Sequence, residues 1–245
     1  MDSFLLMTIG LAFLAIISGM LGLGVAFAAV PFLSLFLPDF VNQVQPLTLL
    51  LNGLTALFAM LGFARSGNVI WKDAVILSLV TTVSAPAGAY LAQHVTTNYI
   101  LYAYFAAVLY LAYSLFRPIQ RGASSEAKLV KAIFLAIPIS VLAGFLGIGP
   151  GFLLMPSLIL LGYEPKKAAG INSLTVTPPS FSALVPHLPT AVWDPNLTVT
   201  LLVVGSLGSF FGARLTSLYV PSVRLKQLFG IVIVVMTAYK ILTLF

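Results

Sequence analysis

Two short runs carry the residue types that could do chemistry in this chain. They are Gly147-Ile148-Gly149-Pro150-Gly151 and, more sparsely, Gly22-Leu23-Gly24, each inside a long apolar stretch. Glycine lets backbone approach a ligand closely, and Pro150 has no N–H to leave unsatisfied. A helix restarting near Val25 or Phe152 would aim unpaired N–H donors and a partial positive charge at an anion. The polar residues at similar depth are neutral: Gln45, Thr48 and Asn52 in one stretch, Asn172, Ser173, Thr175 and Thr177 in another. At 1.5 Å per residue, Thr48 and Asn52 fall roughly 10 and 16 Å below the start of their helix. The candidate binding set is therefore Gly22, Gly24, Thr48, Asn52, Gly147, Gly149, Gly151, Asn172, Ser173 and Thr175. Arg214 joins it as the basic residue clearly inside an apolar segment, placed to attract an anion at one mouth. Each residue also has a plainer reading. Glycines let helices pack closely, hydroxyls and amides bond helix to helix, and a long arginine snorkels to the interface.

The rest of the inventory excludes most other chemistry. There are no cysteines, so disulfides, thiolate metal sites and thiol relays are ruled out. Two histidines and six carboxylates, all at loops or segment ends, leave no catalytic set, no metal centre and no cofactor site. A serine hydrolase built from Ser206 or Ser209 with His187 would put nucleophile and base at opposite ends of the chain's apolar layer. No carboxylate is placed as a midplane proton relay.

The elements that must position these residues are apolar helices. Of 245 residues, 60% are hydrophobic and 7% charged, and the mean hydropathy is +1.09. Average globular domains are about a quarter charged, so the composition predicts an all-α polytopic membrane protein, multi-pass in the cell (inner) membrane. Eight apolar segments run near 3–37, 41–63, 74–92, 99–116, 132–161, 168–185, 197–218 and 225–244. The first opens on Asp2 without a basic region or cleavage site, so it is not read as a removable signal peptide. Nothing in the net charge of +6 points to nucleic acid, because the placement of the positives explains them better.

The chain also repeats itself. Gly19, Gly22, Gly24, Phe27 and Pro31 recur in register as Gly144, Gly147, Gly149, Phe152 and Pro156, and Trp71 and Gly88-Ala89 return as Trp193 and Gly212-Ala213. This predicts one transport-type membrane domain over 1–245: repeat one 1–116, a cytoplasmic linker 117–131, and repeat two 132–245. Basic residues fall in complementary loops of the two halves, near Arg65 and Lys72 in one and near Lys166, Lys167, Arg224 and Lys226 in the other. Under the positive-inside rule that pattern predicts inverted repeats. If the fifth segment turns back at the Gly147–Gly151 run, every loop cation is cytoplasmic. Each repeat would then be a broken or re-entrant first segment plus three transmembrane helices. A long kinked spanning helix is the alternative for each first segment.

At these residues the chain resembles the TauE/SafE sulfite exporter family, also called the toluene sulfonate uptake permeases. The resemblance rests on Gly144-Phe-Leu-Gly-Ile-Gly-Pro-Gly-Phe-Leu-Leu-Met-Pro156 followed by Ala168-Ala-Gly-Ile-Asn-Ser173, with a weaker copy from Gly19. It covers essentially the whole chain. The family's Gly-Gly-Gly run stands here as Gly149-Pro150-Gly151, and its Thr-Ser pair as Asn172-Ser173; the first copy reads Gly24-Val25-Ala26 and later Leu47-Thr48. The resemblance implies inverted repeats and a secondary transporter or facilitator exporting a small sulfur-containing oxyanion, such as sulfite, sulfoacetate or another organosulfonate. The alternatives are a proton- or sodium-coupled anion uptake permease and, behind it, an intramembrane enzyme. Expected partners are the anionic substrate and the lipid bilayer, with homo-oligomerisation left open.

Overall fold

A computed structural model describes residues 2–91, 125–146, 149–225, 227, 228 and 231. The described residues are helical, with no strand among them. The helices are α1 (Asp2–Leu21), α2 (Ala26–Leu33), α3 (Gln45–Ala64), α4 (Trp71–Leu91), α5 (Ser125–Leu146), α6 (Gly151–Leu160), α7 (Pro165–Leu184) and α8 (Pro195–Tyr219). A π-helical turn, Phe40–Val44, leads into α3. The expected fourth segment, most of the eighth and Gly147 lie outside the described residues.

The first and fifth apolar segments each divide into two helices where the glycines fall. α1 ends at Leu21, and Gly22 and Gly24 take φ of +65° and +71°, the left-handed region that a side chain disfavours. Leu23 N–H donates back to Ser18 O at 3.2 Å, closing the helix end. α2 then runs back along α1: a Cβ on Gly10 would meet the Phe32 ring. The second pair behaves alike. Lys128, near the start of α5, donates from Nζ to the carbonyl of Gly162, just past the end of α6 (3.3 Å), so both limbs reach the same end of the bundle. α5 begins at Ser125, inside the stretch expected to be linker, because Ser125-Glu-Ala-Lys-Leu-Val-Lys131 consists largely of good helix formers.

Packing partners come in matched sets. α1 lies on α8 and α5 on α4; α3 packs on α8 and α7 on α4; α3 and α7 meet each other. Gly19 and Gly212 bring α1 and α8 backbone to backbone, against Ser209 and Ile16 respectively. Here the plain packing role of glycine holds. Facing outward are apolar stripes at helical spacing, Val75, Leu79 and Val83 on α4 and Val199, Val203, Leu207 and Phe211 on α8. Such belts suit hydrocarbon rather than water. Among the described residues, the helices within Ser3–Leu21, Asn42–Ala64 and Pro195–Tyr219 are long and apolar enough to cross a membrane.

Charge sorts to the two ends. Arg214 donates to Ser66 Oγ (2.7 Å), Lys166 Nζ to Ser217 O (3.0 Å) and Tyr163 Oη to Asp73 Oδ2 (2.6 Å). These contacts gather Arg65, Lys72, Lys128, Lys166 and Arg214 at one end. At the other, Val192 N–H donates to Asn42 O (2.8 Å), joining the connections that carry Asp39 and Asp194.

Candidate functional site

The two helix breaks meet in the middle of the bundle. A Cβ added to Gly151 would lie 3.1 Å from the Leu23 carbonyl oxygen, 2.8 Å from Asn172 Nδ2 and 2.5 Å from Val176. One added to Gly149 would lie 3.0 Å from Asn52 Nδ2. Phe27 and Phe152, the first-turn residues of α2 and α6, stack with ring centroids 5.9 Å apart. Glycine at 149 and 151 is thus a spatial requirement: a side chain there would occupy the junction itself.

Two asparagines tie the breaks together. Asn52, on α3, accepts the Ala26 N–H on Oδ1 (2.9 Å) and donates from Nδ2 to Ser180 Oγ of α7 (2.8 Å). Asn172, on α7, donates from Nδ2 across to the Gly22 carbonyl (2.8 Å). Thr55 adds a third fastening, its Oγ1 accepting the Val25 N–H (3.2 Å). Ser18, from α1, donates to the Gly24 carbonyl. All of these side chains are buried.

Several of the expected residues meet at this junction, and others that the sequence did not single out join them. Gly22, Gly24, Gly149, Gly151, Asn52 and Asn172 do come together. Ser173 and Thr175 sit beside them on α7, but Ser173 donates to Gly170 O (2.9 Å) and Thr175 to Asn172 O (2.8 Å), within their own helix. Thr48 lies one turn above Asn52 and donates to Val44 O (2.7 Å). Arg214 is at the basic end, against Ser66, and about 20 Å of helix separates Ser66 from the level of Asn52. The reading missed Thr55. Its signal was available: Asn52-Gly-Leu-Thr55 recurs as Asn172-Ser-Leu-Thr175. It also missed Thr81, whose hydroxyl donates to the Thr175 carbonyl (3.0 Å). Pro179 lacks the N–H that would serve that carbonyl four residues back, and Thr81 on α4 supplies the donor instead. Ser209 on α8 donates likewise to the Thr55 carbonyl (2.7 Å).

The junction carries no fixed charge. No Asp, Glu, Lys or Arg occurs in 3–38, 40–64, 132–163 or 168–193, the stretches that hold α2, α3, α6 and nearly all of α7. One acceptor is left over: Asn172 Oδ1 is buried and has no hydrogen-bond donor among the described residues. At the basic end, burial and the adjacent Asp73 carboxylate push the Tyr163 phenol well above its ordinary range.

Comparison with known proteins adds the family. The family model described as sulfite exporter TauE/SafE matches residues 6–240. Similar curated proteins include a probable membrane transporter protein YdhB of Bacillus subtilis (strain 168), 26% identical over 222 residues, covering 87% of this chain and 90% of that protein. A probable membrane transporter protein MJ0441 of Methanocaldococcus jannaschii is 24% identical over 183 residues, covering 71% and 68%. A probable membrane transporter protein of Xylella fastidiosa (strain 9a5c) is 25% identical over 190 residues, covering 74% and 73%. No solved structure gives a significant match.

Proposed function

This chain belongs to the sulfite exporter TauE/SafE family of multi-pass membrane transporters, and from that premise we propose that it exports a small sulfur-containing oxyanion across the cell membrane. Sulfite, sulfoacetate and other organosulfonates are the substrate class. The observation that carries the reading is the meeting of two half-helix starts, α2 and α6, at an uncharged, amide-lined junction in the bundle. Half-helix N-termini at such a point favour an anion through oriented N–H dipoles. A neutral lining lets the anion leave again.

The matched packing sets and the repeated Asn-x-Leu-Thr motif support two inverted repeats about an axis near the Phe27–Phe152 stack. On that plan the basic end faces the cytoplasm, and rocking of one repeat against the other gives alternating access. Ser173, Thr175 and Thr48 each hold a carbonyl of their own helix in this conformation. Rotation about χ1 would re-aim a hydroxyl at substrate.

With the cell interior negative, moving one negative charge outward is favoured by about 2.3 kcal/mol per 100 mV. Export of a monoanion therefore needs no gradient other than its own and the voltage. Proteoliposomes loaded with sulfite or sulfoacetate, with equal sodium on both sides and the potential clamped by potassium and valinomycin, test this. Release should accelerate as the interior becomes more negative. Release that ignores voltage and follows only a pH or sodium gradient would overturn it.

A further inference from the structure

The leftover oxygen at the junction has the wrong polarity for the proposed cargo. Asn172 orients its amide by donating Nδ2 to the Gly22 carbonyl, which fixes Oδ1 as the unpaired atom. A sulfonate group brings only acceptors and cannot satisfy it. More acceptors lie around the same amide. The Gly22 carbonyl accepts from Asn172 Nδ2, and the Leu23 oxygen, between the two left-handed glycines, lies 3.1 Å from a Gly151 Cβ position that Asn172 Nδ2 approaches to 2.8 Å. The C-terminus of α1, carrying partial negative charge, ends there too. Meanwhile the first two N–H groups of the α2 start are held by Asn52 and Thr55. The first break is therefore richer in acceptors than in free donors.

We propose that this acceptor cluster holds a monovalent alkali cation, coordinated by the Gly22 and Leu23 carbonyls and Asn172 Oδ1. Unwound carbonyls at a helix break are suited to such an ion. Its role as counter-charge rests on the anion reading above: a buried oxyanion otherwise meets no positive side chain at the junction, and an uncompensated buried charge is costly. The ion is resident rather than cargo, since sodium exported with the anion would climb its own gradient.

The test begins with the full chain in detergent and no substrate anion. Thermal unfolding is followed in sodium, potassium or choline gluconate at constant ionic strength. Sodium or potassium should raise the midpoint saturably and choline should not. Asn172→Asp should lower the half-saturating cation concentration about tenfold, and Asn172→Leu should abolish the shift. Sulfite or sulfoacetate affinity should then fall at least tenfold when choline replaces the alkali cation. Equal midpoints in all three salts, or a cation shift that survives Asn172→Leu, would overturn the site and leave Asn172 Oδ1 facing water. The wild-type titration decides even if neither variant folds. A saturable cation shift without binding of either anion would uphold the ion site and sink the substrate assignment; anion binding indifferent to the cation would do the reverse.

Discussion

The two hairpins use one design and fasten it at opposite ends. In the first, the turn is locked: Val25 and Ala26 N–H groups are held by Thr55 and Asn52, and Ser18 holds the Gly24 carbonyl. In the second, the mouth is locked, by Lys128 on Gly162 and Tyr163 on Asp73. Among the described residues its turn has no matching cap. The position corresponding to Val25 is Pro150, which has no N–H to give Thr175. Asn172, corresponding to Asn52 in sequence, turns its amide to the first break. A duplicated Asn-x-Leu-Thr motif thus serves as a cap once and as a bridge once. The lesson is that the described caps hold the first break and leave Pro150, at the second, without one.

The strongest challenge to a locked first turn is Gly24→Ala. At φ +71° a Cβ would collide with Asn52 Oδ1. Left-handed strain of about 1–2 kcal/mol adds to overpacking of about 1–3 kcal/mol, so folded yield and thermal midpoint in detergent should drop sharply. Gly149→Ala, whose Cβ would lie 3.0 Å from Asn52 Nδ2, meets a looser contact and should cost less in stability. Equal losses in the two variants would erase the distinction between the turns.

Next in size is the contrast between the asparagines. Asn52→Ala strands the buried Ala26 N–H and deprives Ser180 of a donor, and an unsatisfied buried group costs about 1–3 kcal/mol. Asn172→Ala removes one hydrogen bond but also an oxygen that already lacks a donor. In choline salt, where no bound cation contributes, its stability loss should be the smaller of the two, while substrate release in proteoliposomes falls at least as far as in Asn52→Ala. Matching unfolding losses would mean that both asparagines are simple caps.

Much of this was legible in the sequence, and the gaps have physical causes. The breaks could be found because glycine and proline in register are rare in an apolar chain. Thr55 was hidden by a register change: Gly24 answers to Gly149, but Asn52 answers to Asn172, because the π-helical turn before α3 lengthens the first connection. Thr48 was chosen in its place from depth alone. What no spacing could reveal is where each hydroxyl donates. Thr48, Ser173 and Thr175 have helical carbonyls within reach at every moment, and a rotamer decides between helix and ligand. The helical start of α5 was lost for a different reason, since polar helix formers resemble a linker when only hydropathy is read.

Tyr163→Phe tests the locked mouth. A hydrogen bond to a charged group is worth about 1.5–3 kcal/mol, and its loss should lower the thermal midpoint and leave anion affinity unchanged. The pH dependence has a definite sign. The folded phenol titrates above the unfolded value near 10, so its contribution is complete below that value and is lost as pH rises toward the folded pKa. Wild-type stability in detergent should therefore fall more steeply than that of Tyr163→Phe above about pH 10. Parallel curves would remove Tyr163 from the fastening.

The smallest effect should come from Pro150→Ala, and it tests the reason given for the asymmetry. The alanine N–H restores what Val25 offers Thr55, and Thr175 Oγ1 is the acceptor in the corresponding place. One new hydrogen bond contributes about 0.5–1.5 kcal/mol, while loss of the proline's restraint on the unfolded chain costs about 0.4–1 kcal/mol. Net stability should therefore stay within about 1 kcal/mol of wild type. The informative readout is transport. A second turn capped like the first should rearrange less readily, so anion release should slow by a few-fold, and Thr175→Val in the same background should restore it. Slow release that persists in Pro150→Ala/Thr175→Val would show that the missing N–H is not what keeps the second turn free.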